Sequence, residues 1–136
     1  MTAKILWEIG STISFIIGIM HLRGTLFTTL LHPTNKKLIE VMKDSPMEVD
    51  PTSLTWNGWI GFNAAFSVCL IFMGFVNFYL AYMHFEIVKG LSVIFVASIV
   101  SVGLLIWIAH KYLIKKVERV FMIILIFYCI SAALSF

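Results

Sequence analysis

The sequence predicts an all-α fold. The expected architecture is an integral membrane four-helix bundle, antiparallel in up-down-up-down order, with a short interfacial helix between the first two long helices. Three observations lead there. Four apolar runs, 5–31, 56–83, 88–109 and 117–136, are each long enough to cross a bilayer, since a helix rises ~1.5 Å per residue and the hydrocarbon core is ~30 Å thick. Almost every charge lies between these runs, in a chain of 136 residues that is 60% hydrophobic and has a mean hydropathy of +0.98. Within each run, the polar and small residues recur at three- and four-residue spacing along one stripe. The connections are too short to bury cores of their own, so 1–136 reads as a single transmembrane domain.

The first run follows Lys4 and so imitates a leader peptide. Glu8 interrupts its start, it continues well past an ordinary leader core, and no A-x-A-like cleavage site follows; it reads as a helix. Its stripe carries Ser11, Ser14, Gly18, His21, Thr25, Thr28 and His32. Arg23 lies near the inner end of this run and admits two placements. Its long stem snorkels to the headgroups, or it folds inward beside His21 with Asp50 or Glu118 as partner.

In the first connection, Pro33 and Asn35 start a short helix and Pro46 stops it. Leu38, Val41 and Met42 share one face there, away from Lys36, Lys37, Glu40 and Lys43, a pattern suited to the headgroup boundary. Asp50-Pro51-Thr52-Ser53 reads as a turn and cap leading into the second run. Trp56 and Trp59 stand where tryptophan anchors a span.

The second run places Trp56, Trp59, Asn63, Ser67, Gly74 and Asn77 on its stripe. The third offers Ser98 and Ser101, and the fourth Tyr128, Ser131 and Ser135. Ile, Leu, Phe, Val and Met flank all four. Hydrocarbon cannot hydrogen-bond, so the stripes are expected to turn inward, where small residues also let helices approach closely.

The net charge of +3 does not indicate a nucleic-acid partner, because no soluble basic surface carries interleaved aromatics. Lys36, Lys37 and Lys43 lie in the first connection, and Lys111, Lys115, Lys116 and Arg119 in the third, against only Lys4 and Lys89 on the other side. The positive-inside rule then puts both termini outside the cytoplasm.

Candidate ligand-binding residues are His21, Arg23, Trp56, Asn63, Ser67 and Asn77, because ionisable and amide groups at membrane depth are costly and mark function. The competing reading makes the stripes packing glue, each interhelical hydrogen bond contributing ~0.6–2 kcal/mol. No catalytic signature is present, and no cofactor or metal is expected. Cys69 and Cys129 sit inside apolar runs without a second cysteine or a histidine at zinc spacing, and read as small buried residues. A bis-histidine haem needs ligands at matching depth on facing helices, which these histidines do not supply. A proton-coupled transporter needs a mid-membrane acid, and the acids inside the runs, Glu8 and Glu118, both stand close to a run's start.

The segments Gly18-Ile-Met-His21-Leu-Arg-Gly24-Thr25 and Trp56-Asn-Gly-Trp-Ile-Gly61-Phe62-Asn63-Ala-Ala-Phe-Ser67, with the Met42 to Met47 stretch, resemble a family of small four-span bacterial inner-membrane proteins without an established activity. In that family a Gly-His pair ends the first helix and a Trp…Gly-Phe-Asn run opens the second. Where the family pattern continues Ser-His-Ser, this chain has Ala65-Phe66-Ser67, so no role for that histidine carries over. The resemblance covers the first two runs and implies a multi-pass protein of the bacterial inner (plasma) membrane.

The expected function is that of an accessory or oligomerising subunit, or a binder of a lipid or other amphiphile through the polar interhelical seam. The expected partners are membrane lipid and a homo-oligomer or membrane-protein complex. The alternative is a membrane enzyme acting on a lipid-like anionic substrate, with His21 as acid/base and Arg23 holding the anionic group.

Overall fold

The computed structural model describes residues 1–136. It contains five helices, α1 (Thr2–Leu26), α2 (Lys36–Asp44), α3 (Thr55–Gly90), α4 (Ser92–Tyr112) and α5 (Lys115–Ala133), with strands β1 (Pro46–Met47) and β2 (Asp50–Leu54) between α2 and α3. The strands pair antiparallel, Pro46 opposite Leu54 and Met47 opposite Asp50. Three helices, α1, α3 and α4, are long and apolar enough to cross a membrane, the signature of a membrane protein.

The fourth expected span differs. In α5, Lys115, Lys116, Glu118 and Arg119 all fall at the start of the helix. The apolar remainder, Val120 to Ala133, rises only about 21 Å, short of a ~30 Å hydrocarbon core.

Helix boundaries also move. The first run is helical only to Leu26, because Thr28 Oγ1 donates to the Gly24 carbonyl and accepts from the Leu30 amide, replacing the helical ladder with a side-chain turn. The expected break at 84–87 is instead a kink at His84 (φ −141°, ψ 46°) inside α3. Near it the Tyr82 carbonyl accepts from Lys4 Nζ at 2.8 Å. The true break is one residue long, at Leu91 between α3 and α4. In the first connection α2 forms as expected, capped by the Asn35 side chain on the Lys37 amide. The hairpin after it was not anticipated.

The chain divides into two compact units, one comprising Met1–Phe15 and Phe72–Phe136, the other Ile16–Ile71. In the first, parts of α1, α3, α4 and α5 share a core. Trp7, fully buried, stacks on Tyr128 at 4.1 Å and meets Phe95 edge-on at 4.6 Å. Ser11 Oγ donates to the Trp7 carbonyl, so its 3.1 Å contact with Tyr128 has the phenol as donor. Ser131 Oγ donates to the Ala3 carbonyl at 2.7 Å.

In the second unit, Gly18 brings α1 against α3: a Cβ there would stand 2.8 Å from the Ile71 amide nitrogen. The hairpin closes where the Ser45 carbonyl accepts from both the amide and the hydroxyl of Thr55.

Both units invert the usual partition. Ser11, Ser14, Ser67 and Ser131 are wholly buried, whereas Phe62, Phe72, Val93 and Trp107 are exposed. Two expectations are corrected by the same partition. Cys69 and Cys129 are free and exposed, on outward apolar faces rather than in the packing. Ser101 is exposed too, its place toward the core taken by Val102.

Candidate functional site

The six candidate residues separate into distinct surroundings. His21, Asn63 and Ser67 meet in the unit Ile16–Ile71. Ser67 donates its one proton to the Asn63 carbonyl at 2.8 Å. The 2.8 Å contact between Ser67 Oγ and His21 Nδ1 therefore has the imidazole as donor. His21 is held as the Nδ1–H tautomer, its lone pair on Nε2. Phe66 packs edge-on against its ring at 5.4 Å, and the Asn63 amide turns back to the Trp59 carbonyl. These groups occupy one another. Ser67 has no exposed surface to offer a substrate, and its proton is directed at a carbonyl rather than at His21.

Trp56, in the same unit, is half-buried. The His32 ring meets it edge-on at 4.9 Å, and Lys43 Nζ lies 5.8 Å from the ring centroid. Beside it Trp59 donates from Nε1 to the Leu31 carbonyl at 3.3 Å, tying the start of α3 to the segment after α1.

Arg23 is exposed, which agrees with the outward of the two placements its sequence position admits. Both proposed partners are engaged elsewhere: Glu118 accepts from His110 Nδ1 at 3.0 Å, and Asp50 from Thr52 and Ser53.

Asn77 belongs to the other unit. Its amide donates to the Met73 carbonyl, and its Oδ1 accepts from Ser98 Oγ at 3.0 Å, joining α3 to α4.

A groove away from the polar stripes opens between the hairpin and the first turns of α3. It encloses about 440 Å³, and its walls include Met47, Asp50, Ser53, Asn57, Gly61 and Phe62. Gly58 lets the hairpin rest on the helix, since a Cβ there would stand 2.7 Å from Met47 Sδ; a Cβ on Gly61 would meet nothing within 4 Å. The sequence signal was present in Gly58, Gly61, Phe62 and Ala65, which share a helix face at three- and four-residue spacing. They form a different face from the Trp56–Asn63–Ser67 stripe, and the hairpin that makes them a wall is not legible in the periodicity.

Asp50 lines this groove. Its carboxylate accepts from Ser53 Oγ at 2.7 Å, from Thr52 Oγ1 at 2.7 Å and from the Thr52 amide at 3.0 Å. The Ser53 hydroxyl foremost, then both Thr52 donors, hold its carboxyl below the usual carboxylate range. The groove thus joins an anionic, hydrogen-bonded carboxylate to an apolar wall.

Comparison with protein-family models, with curated proteins and with solved structures finds no match for this chain.

Proposed function

We propose that this chain is an integral protein of a bacterial inner membrane that binds a lipid or other amphiphile and performs no chemistry on it. The inverted partition supports the membrane reading: serines fill the packing while phenylalanine and valine face outward, as helices do when surrounded by hydrocarbon. On this reading the chain crosses four times, with both termini outside the cytoplasm. The fourth crossing is α5, whose short apolar stretch is extended by the stems of Lys115, Lys116 and Arg119 reaching back to the headgroups.

The observation that carries the binding reading is the hairpin groove of about 440 Å³, of the size that small-molecule sites have. Its lining combines the polar Asp50, Ser53 and Asn57 with an apolar wall of Gly61, Phe62 and Ala65. That polarity matches an amphiphile. The hydrogen bonds of the His21–Ser67 seam support a packing role for it.

The test is native mass spectrometry of the protein extracted from its own membranes, with a Gly61→Trp variant whose side chain fills the groove. A retained lipid mass on the wild type, lost in Gly61→Trp with helicity and melting unchanged, is the expected result. Equal retention by both proteins refutes binding in the groove. A stoichiometric protein in place of the lipid points to the accessory-subunit function.

A further inference from the structure

Glu8 sits in α1 with apolar neighbours, and its Oε1 is buried without a hydrogen-bond donor. The cation paired with it, Lys4 Nζ, is 3.8 Å away and donates to the Tyr82 carbonyl. A buried charged oxygen lacking a donor is a costly arrangement. Two cavities adjoin. One of about 320 Å³ is lined by Glu8, Ile9, Thr12, Phe78 and neighbours; another of about 340 Å³ is lined by Thr12, Phe15, Phe75 and Phe78. They share Thr12 and Phe78 in their walls and so lie side by side, a two-part groove within the unit Met1–Phe15 and Phe72–Phe136. Along α1 it rises about 10 Å from Glu8 to Phe15. The Thr12 hydroxyl turns back to the Glu8 carbonyl at 2.8 Å, which leaves the apolar end without a polar hydrogen. One end of the groove lacks a donor, a cation stands beside it, and the rest is hydrocarbon.

We propose that this groove seats one phospholipid with a primary-ammonium headgroup. The ammonium donates to the part of the Glu8 carboxylate that faces the groove, the side chain keeping 20% of its surface exposed, the phosphodiester faces the Lys4 ammonium, and an acyl chain lies along Ile9, Thr12, Phe75 and Phe78. A primary ammonium has N–H donors and a trimethylammonium has none, so the site distinguishes two zwitterionic headgroups of equal net charge. The inference rests on the membrane reading above and is independent of the hairpin groove.

The test is native mass spectrometry of the full chain in detergent, titrated with phosphatidylethanolamine and, separately, phosphatidylcholine. A hydrogen bond to a charged group corresponds to about a tenfold preference for phosphatidylethanolamine or more. Glu8→Gln, which keeps the shape and removes the charge, is expected to erase it. Equal retention of the two lipids by the wild type overturns the proposal, as does an unchanged preference in Glu8→Gln; should that variant fail to fold, the wild-type contrast decides. Release of the protein from membranes by alkaline carbonate overturns the membrane reading itself and this site with it. Loss of the preference in Glu8→Gln but not in Gly61→Trp separates the two grooves.

Discussion

A Cβ added at Gly74 would stand 2.8 Å from Phe15 Cα and 2.8 Å from the Ser11 carbonyl oxygen. Both are backbone atoms of α1 and cannot rotate away. Replacing Gly74 by alanine is expected to destabilise the protein by about 1–3 kcal/mol, the scale of overpacking a close contact. Gly103 is the control, because a Cβ there meets nothing within 4 Å; Gly103→Ala is expected to be neutral or stabilising by up to about 1 kcal/mol through helix propensity. Thermal unfolding in detergent measures both, and a Gly74→Ala protein as stable as the wild type contradicts the close approach. At this scale much of the packing was legible from sequence. Ser11, Ser14, Gly18, Thr25, Ser67, Gly74 and Asn77 fall on stripes, and all are buried. The physical reason is that a hydroxyl or amide amid apolar neighbours needs a partner, which only another helix or its own backbone supplies. Cys69 and Cys129 escaped the same logic because a thiol is a weak hydrogen-bonding group that tolerates an apolar exterior, and Ser101 because its neighbour Val102 takes the inward position. Arg23 was ambiguous because its stem reaches in either direction.

Elements of the first connection follow local chemistry. Asn35 caps α2, and the Asp50 carboxylate gathers the Thr52 and Ser53 donors into a turn. Because the folded-state pKa of Asp50 lies below its ordinary value, the turn draws its full electrostatic support above the unfolded carboxylate pKa of about 3.9. That support is lost as pH falls through the lowered folded value. Hydrogen exchange at the Thr52 amide is expected to lose protection in that acidic window, after correction for intrinsic exchange. Asp50→Asn is expected to show the weaker protection at neutral pH as well. A pH-independent protection factor contradicts the arrangement. The hairpin itself was hidden from sequence, since strands of two and five residues offer too little alternation to read and Pro46 marked only a stop. The kink at His84 was hidden for another reason: no proline or glycine marks it, and the nearby contact of Lys4 with the Tyr82 carbonyl joins residues distant in sequence. The end of α1 was misplaced because apolarity alone continues to Leu31, while the Thr28 hydroxyl takes over the ladder earlier.

For the whole molecule, composition and charge spacing were enough to show helices of membrane-crossing length, because solvent sets their length. They overstated the fourth, where only Val120 to Ala133 is left apolar behind four charged side chains. The candidate ligand residues were less legible. A stripe shows which groups avoid hydrocarbon, but whether they close on each other, as His21 and Ser67 do, depends on a second helix whose register the sequence does not print. If the apolar exteriors lie in hydrocarbon, the two exposed native cysteines, Cys69 on α3 and Cys129 on α5, report it. Each is spin-labelled alone, in Cys129→Ser and Cys69→Ser proteins reconstituted into bilayers, and its collision rates with oxygen and with a water-soluble nickel complex are compared. High oxygen and low nickel accessibility is expected at both positions; nickel-dominated collisions at Cys69 and Cys129 would instead place these faces in water and refute a hydrocarbon surround.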